Sequence, residues 1–369
     1  MPSLPSSGPL GALLFVRPDI ADIQRRLAAY LGTQVAYLHL LASGWETIVF
    51  EFSLSAYSSR VRELPAGRAL VLRFYQGSRA ADKGNREAAI MRLLADINYP
   101  VPQPYLFESD PEPLGAPFLI MERIAGRPLF TVSNFPQAFK TFSMGFVGFV
   151  RAQVRLHSLR ANGRLALVNL PQTCTSTNVS SPMPLLERVF RTIEERIQQG
   201  PLPGLRGALS SLRCRAARYS PAPSALVHMD YHPQNVMVNG FRVSGVLDWV
   251  NADCGDRHLC AATTAVILSS TAMEQPRWMG ENIAGNALRA LFASLYLPLY
   301  HAAAPMELER FRFAQGVAAL LRLSMFGMMR TRGPESAGFR PEAIENVTPS
   351  VVRLLSRYAS HKAGVPVSI

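Results

Sequence analysis

Between Leu226 and Trp249 the chain reads LVHMDYHPQNVMVNGFRVSGVLDW, which spaces Asp230, Asn235 and Asp248 at intervals of five and thirteen residues. Phosphoryl transfer to a hydroxyl needs a carboxylate that orients the hydroxyl and accepts its proton. It also needs hard oxygen ligands that fix Mg²⁺ against the nucleotide phosphates. Asp230 suits the first requirement, and Asn235 with Asp248 suits the second.

The residues between these positions must bring them together. Val236 to Val238 read as a strand, Asn239-Gly240 as a tight turn and Phe241 to Leu247 as a returning strand rich in Val and Leu. A two-residue turn at Asn239-Gly240 would set Asn235 across from about position 244 and leave Asp248 a short distance beyond, within reach of the same ion. The residues permit another use. His228, Asp230 and His232 alternate, so on an extended strand they would share one face and could ligate a transition metal. That use leaves Asn235 and Asp248 without a role.

HMDYHPQN followed by VLDW resembles the catalytic loop and metal-binding aspartate of the aminoglycoside phosphotransferase and choline kinase superfamily, small-molecule relatives of protein kinases. The resemblance covers roughly Tyr37 to Leu268. It implies an α+β, two-lobed protein kinase-like fold with a small β-rich N-lobe and a larger, mainly helical C-lobe. It further implies that Asp230 is the catalytic base, that Asn235 and Asp248 hold Mg²⁺, that His228 supports the loop, and that Pro233 stiffens it. The cofactors would be ATP or GTP with Mg²⁺, and the partner a small molecule presenting a hydroxyl acceptor. WVNADCGDRHLCAA matches the family's DW-x-x-A-x-x-GDP-x-x-DLA at Gly255 and Asp256, with Arg257 in place of Pro and Cys260 in place of an Asp that commonly braces the active-site loops.

The same resemblance organises the first third of the chain. Residues 1–18 read as a loose arm, 19–122 as a nucleotide-binding N-lobe and 123–369 as the catalytic and acceptor-binding C-lobe. Ile20 to Leu31 has an amphipathic helical pattern, and Tyr37 to Leu54 reads as strand, turn and strand, the turn at Ala42-Ser43-Gly44. In the family such a loop covers the nucleotide phosphates, which makes Ser43 and Gly44 binding candidates. Arg73, in the strand Ala69 to Tyr75, stands where kinase-like folds place a phosphate-binding Lys, and Glu87 in NREAAIMRLLAD fits its helix partner. Arg carries a bidentate fork where Lys carries a point charge, and a solvent-facing Arg paired with a nearby acid is the plain structural alternative. After the proline-rich stretch that follows Tyr99, FLIMERIAGR resembles the hinge. Met121, Glu122, Arg123 and Ile124 are therefore candidates to bind adenine through their backbone groups.

The bulk properties set limits on the rest. With 369 residues, 48% of them hydrophobic, the chain can bury the cores of two lobes. Its four cysteines show no CxxC spacing, as expected of reduced thiols in a cytoplasmic protein. Its apolar stretches, Leu259 to Met273 and Leu291 to Met306, are too short or too polar for a membrane span. Net charge is +12, all of it carried by residues 127–369, where 26 Lys and Arg face 14 Asp and Glu. Arginines at helical spacing among apolar residues read as solvated helix faces. No basic motif interleaved with aromatics points to nucleic acid, and nothing points to a protein partner. A kinase-like nucleotide-binding protein with weak or no catalysis, acting through a partner, would share these features. Arg73, Cys260 and the glycine-poor loop favour that alternative, whereas the intact Asp230, Asn235 and Asp248 favour an enzyme.

Overall fold

The computed structural model describes residues 19–43, 47–77, 79–129, 145–159, 184–270, 284–337, 339 and 341–369. The N-terminal arm, Gly44 and Cys174 lie outside them. The chain divides into two compact units, Met1–Ile124 and Ala125–Ile369.

The first unit is a five-stranded antiparallel sheet with strand order β1-β2-β3-β5-β4, formed by β1 (Val35–Ser43), β2 (Thr47–Leu54), β3 (Ala69–Tyr75), β4 (Pro104–Glu108) and β5 (Phe118–Glu122). Helix α1 (Ile20–Leu31) starts at Asp19, whose carboxylate accepts from the Asp22 N–H, and stops at Gly32 in the left-handed region. It packs on β1 and buries Ile23, Leu27 and Leu31, one turn apart. Side chains alternate along β3. Leu70, Leu72 and Phe74 join the core shared with α1, which turns Val71, Arg73 and Tyr75 to the opposite face. Helix α2 (Ala80–Asp96) packs against β3, β4 and β5 and buries Ala80, Gly84, Glu87, Met91 and Leu94 at helical spacing. Glu87 is thus a carboxylate within an apolar stripe, a position that demands a partner.

The second unit is mainly helical. Its helices are α3 (Phe146–Ser158), α4 (Leu185–Gln199), α5 (Arg206–Ala216), α6 (Arg257–Ser270), α7 (Ala284–Ala303), α8 (Leu308–Arg332) and α9 (Pro349–Ala363). Helix α8 packs against α4, α5, α6 and α9, so its residues are buried around most of its circumference. Two small sheets carry the loops. Strand β7 (Ser224–Val227) pairs with β10 (Asp253–Asp256), and β6 (Arg127–Pro128) pairs with β8 (Val236–Asn239), which pairs with β9 (Arg242–Val246). Among the described residues no helix is long and apolar enough to cross a membrane.

The β8-β9 hairpin differs from the expected register. Its two-residue turn is Gly240-Phe241, one position later than Asn239-Gly240, because Asn239 pairs with Arg242. Ser244 is then an extra residue in β9, since Val238 pairs with Val243 and Met237 with Gly245. Each shift moves the partner of Asn235 further along the chain, and the Asn235 carbonyl meets the Leu247 N–H at 2.8 Å instead of a residue near position 244. Asp248 therefore follows directly.

Gly126 leads the chain into β6 at φ +111°, where an added Cβ would lie 2.3 Å from the Val238 carbonyl oxygen. Gly126→Ala is expected to cost about 2–3 kcal/mol through backbone strain and this clash, read as a lower urea midpoint.

Candidate active site

The candidate catalytic loop, residues 228–235, leaves β7 and enters β8. His228 is fully buried and its Nε2 lies 2.9 Å from the Leu247 carbonyl oxygen, so Nε2 carries the ring proton and donates it. Burial lowers the imidazole pKa, which keeps the ring neutral. Its faces meet Tyr231 and Trp249 at centroid distances of 5.9 and 4.5 Å. This packing and the hydrogen bond to Leu247 fix the ring in place. Among the described residues, no group of three or more His, Cys, Asp or Glu side chains could hold a metal ion, which disfavours the alternating His-Asp-His arrangement.

Asn235 donates from Nδ2 to the Asp230 carbonyl oxygen at 3.0 Å, leaving Oδ1 as its remaining side-chain ligand atom. Asp248 sits just past the Leu247 partner of Asn235, at φ +66° and ψ +65°. The Asn235 Oδ1 and the Asp248 carboxylate are hard oxygen donors, the kind that suits Mg²⁺ and not a soft metal.

Asp230 is half-buried. Burial alone would raise its carboxyl pKa, but His232, then His228 and Arg322, outweigh burial and hold it at about 2. His232 Nδ1 lies 3.3 Å from the Gln234 nitrogen, and its Nε2 lies 3.1 Å from Asn235 Nδ2 and 3.7 Å from Asp230 Oδ2. Arg322 acts from α8, its guanidinium 5.0 Å from the centroid of the Phe326 ring. His232 and Arg322 are absent from the residues singled out by sequence for this reaction. Position i+2 from Asp230 was the available clue to His232, while Arg322 lies 92 residues downstream and carries no local motif.

In the first unit, Arg73 and Glu87 form a buried ion pair, 6% and 1% exposed, with Arg73 Nε 3.3 Å from Glu87 Oε2. Tyr75 donates its hydroxyl proton to the same carboxylate oxygen at 2.6 Å. The solvent-facing alternative for Arg73 does not hold. Ser43 ends β1 opposite Ile48. Of the adenine-binding candidates, Met121 and Glu122 close β5, and the Glu122 N–H is bound to the Gln103 carbonyl at 2.8 Å. Arg123 pairs with Glu51 at 2.6 Å and also donates to the Ile124 carbonyl at 2.6 Å, so two of the backbone groups in this segment are engaged within the unit.

The sequence profile described as "Phosphotransferase enzyme family" matches residues 50–305. The chain belongs to that family. None of the curated proteins matches the sequence. Similar solved structures include the amicoumacin kinase hAmiN in complex with AMP-PNP, Ca²⁺ and Ami, with TM-score 0.60, 15% identity and 97% of each chain covered. Macrolide 2′-phosphotransferase MphH from Brachybacterium faecium gives TM-score 0.53 at 18% identity, covering 90% of this chain and 98% of its own. Aminoglycoside phosphotransferase APH(4)-Ia gives 0.53 at 17%, again covering 90% and 98%. The fold is protein kinase-like, with a β-rich first unit and a mainly helical second one.

Of the two family departures noted after β9, Arg257 opens α6 and donates to the Pro305 carbonyl, and Cys260 is fully buried one turn later. The matching Asp256 caps α6 by accepting from the His258 N–H at 2.9 Å, and it binds His258 Nδ1 at 2.7 Å and Arg310 Nε at 2.6 Å. Burial opposes ionisation of Asp256, but His258 and Arg310 lower its pKa to about 2. This contribution to stability is complete above the unfolded-state value and is lost as pH falls from about 4 towards 2, to a total of about 2 kcal/mol. Asp256→Asn should therefore flatten the fall in urea-unfolding free energy over that range while lowering stability at pH 7.

Proposed function

We propose that this phosphotransferase moves the γ-phosphoryl group of ATP, or of GTP, to a hydroxyl of a small molecule. The observation that carries the reading is the hairpin register, which puts Asn235 against Leu247 and so brings Asp248 next to the loop that holds Asp230. Asp230, ionised at neutral pH, would orient the acceptor hydroxyl and take its proton. A carboxylate with a pKa of about 2 is a weak base, so the proton moves late, once the new P–O bond has drawn charge from the oxygen. Asn235 and Asp248 would hold Mg²⁺, which supplies charge neutralisation on the nucleotide phosphates when bound. Arg73, fixed by Glu87 and Tyr75, would contact those phosphates, with Ser43 and Gly44 covering them and the segment from Met121 to Ile124 binding the base. The AMP-PNP bound to hAmiN supports an adenine nucleotide.

The acceptor is neutral or anionic in this reading. The excess positive charge lies wholly in residues 127–369, and Arg322 adds a cation beside Asp230. Both disfavour a polycationic acceptor through like-charge repulsion.

Mg²⁺-dependent ATP consumption across a panel of neutral, anionic and polycationic alcohols tests the reaction and the acceptor class together. Asp230→Ala should lower turnover by about 10²–10⁴-fold while leaving the dissociation constant for Mg-ATP within about threefold. Unchanged turnover in that variant would remove Asp230 from the chemistry. Arg73→Met should instead raise KM for ATP more than tenfold, roughly the worth of one charge-assisted contact, provided the variant remains folded by circular dichroism.

A further inference from the structure

The catalytic loop is strained at its start. Met229 is held at φ +61°, a conformation that side-chain-bearing residues adopt at a cost of about 1–3 kcal/mol and keep only where the surroundings impose it. The surroundings are two residues of α6, one helical turn apart. Cys260 is fully buried, and burial keeps its thiol neutral. Thr264, also fully buried, donates its hydroxyl proton to the Tyr231 carbonyl at 2.8 Å. A hydroxyl donor thus grips the loop just after Asp230, and the buried thiol sits one turn earlier on the same helix.

Both side chains meet Gln153 of α3, which is also fully buried. Because the single proton of Thr264 is spent on Tyr231, its oxygen must accept from Gln153, and the Nε2 to Oγ1 distance is 2.8 Å. The second Nε2 proton faces Cys260 Sγ at 3.7 Å. The amide oxygen is then left for a donor, and Tyr296 supplies it at 2.5 Å from its own buried hydroxyl. Donors run in one direction, from Tyr296 through Gln153 and Thr264 to the carbonyl after Asp230. Tyr231 adds a further tie by donating to the Phe149 carbonyl, one turn before Gln153 on α3, at 2.7 Å.

We propose that Gln153, acting through Thr264, is a positioning residue that fixes the catalytic loop by neutral hydrogen bonds next to the position where the family pattern has an Asp and this chain has Cys260. The role assigned to the loop rests on the phosphotransferase reading; its mechanical fixation does not. No charge is needed. One amide satisfies two acceptors and one donor.

The test uses the full chain and four variants, Gln153→Leu, Thr264→Val, Thr264→Ser and Tyr296→Phe. Two readouts are taken: amide hydrogen exchange over residues 228–231, and steady-state hydrolysis of Mg-ATP with water as acceptor. Thr264→Val keeps the shape and removes the donor, whereas Thr264→Ser keeps the donor. Loop exchange should rise at least about tenfold in Thr264→Val and Gln153→Leu, rise less in Tyr296→Phe, and stay at the wild-type rate in Thr264→Ser. Turnover should follow the same order, falling about tenfold in the Val and Leu variants with KM for ATP within about twofold, as expected when a reacting group is misplaced and nucleotide binding is not. Wild-type exchange in Thr264→Val, or an equal rise in Thr264→Ser, overturns the proposal. A wild-type chain that hydrolyses no ATP counts against the phosphotransferase reading, and the exchange data still decide whether Gln153 holds the loop. Should Gln153→Leu fail to fold, the Thr264 pair decides alone.

Discussion

The backbone N–H and C=O of Leu247 are the groups on which the second unit's site depends. The N–H binds the Asn235 carbonyl at 2.8 Å, and the C=O receives the His228 imidazole proton at 2.9 Å. One apolar residue at the exit of a hairpin thus joins both ends of the loop, seven residues apart in sequence from His228 to Asn235. The geometry on either side is irregular, with Met229 and Asp248 both at positive φ. Irregular backbone in a buried setting must have its polar groups satisfied one by one, because no ladder does it for them. His228 and Asn235 perform that task at Leu247. This accounts for a neutral, fully buried histidine in a loop whose chemistry needs no histidine.

The first unit solves a different problem with a charge pair. Alternation along β3 turns Arg73 and Tyr75 toward α2, and the apolar stripe of α2 brings Glu87 to meet them. Two buried ions of opposite sign rarely repay their desolvation as stability, whereas removing one of them leaves the other stranded, at about 3–5 kcal/mol. The pair therefore resists drift, and a guanidinium held this firmly is preorganised to meet an anion. Tyr75 adds the hydroxyl that a lone Arg could not supply, satisfying the carboxylate oxygen from a second direction.

Much of this was legible in the sequence where the signal was local. The α1 helix and the β3 strand follow directly from local pattern, and spacing singled out Asp230, Asn235 and Asp248 as candidates. The hairpin register was not legible. Asn-Gly is a strong turn signal, but a bulge at Ser244 has no composition of its own and is decided by how β9 packs. Burial of Arg73 followed from tertiary context that a strand with one cation does not announce. Gln153, Thr264 and Tyr296 read as ordinary helix residues, since each becomes polar machinery only when three helices place them together. Cys260 showed the reverse pattern. The sequence exposed the departure at once, but what takes over from the missing carboxylate could be seen only in space.

That departure also bears on the electrostatics of Asp230. A carboxylate at position 260 would put a second negative charge behind the loop, and like charges sharing a site raise each other's pKa. The coupling is present in this chain, because Asp230 itself helps to keep the Cys260 thiol neutral, with burial as the larger cause. With a thiol there, His232, His228 and Arg322 act on Asp230 without an opposing anion, and its pKa settles at about 2. In the proposed reaction, a base this weak gains little by accepting a proton early. It is suited to a loose transition state, in which the acceptor oxygen keeps its proton until bond formation is well advanced and the first task of the carboxylate is to aim the hydroxyl. Aim is a matter of geometry more than basicity. In such a site, then, rate depends most on how rigidly the loop is held, and the neutral hydrogen bonds from α6 and α3 supply that rigidity without adding a charge.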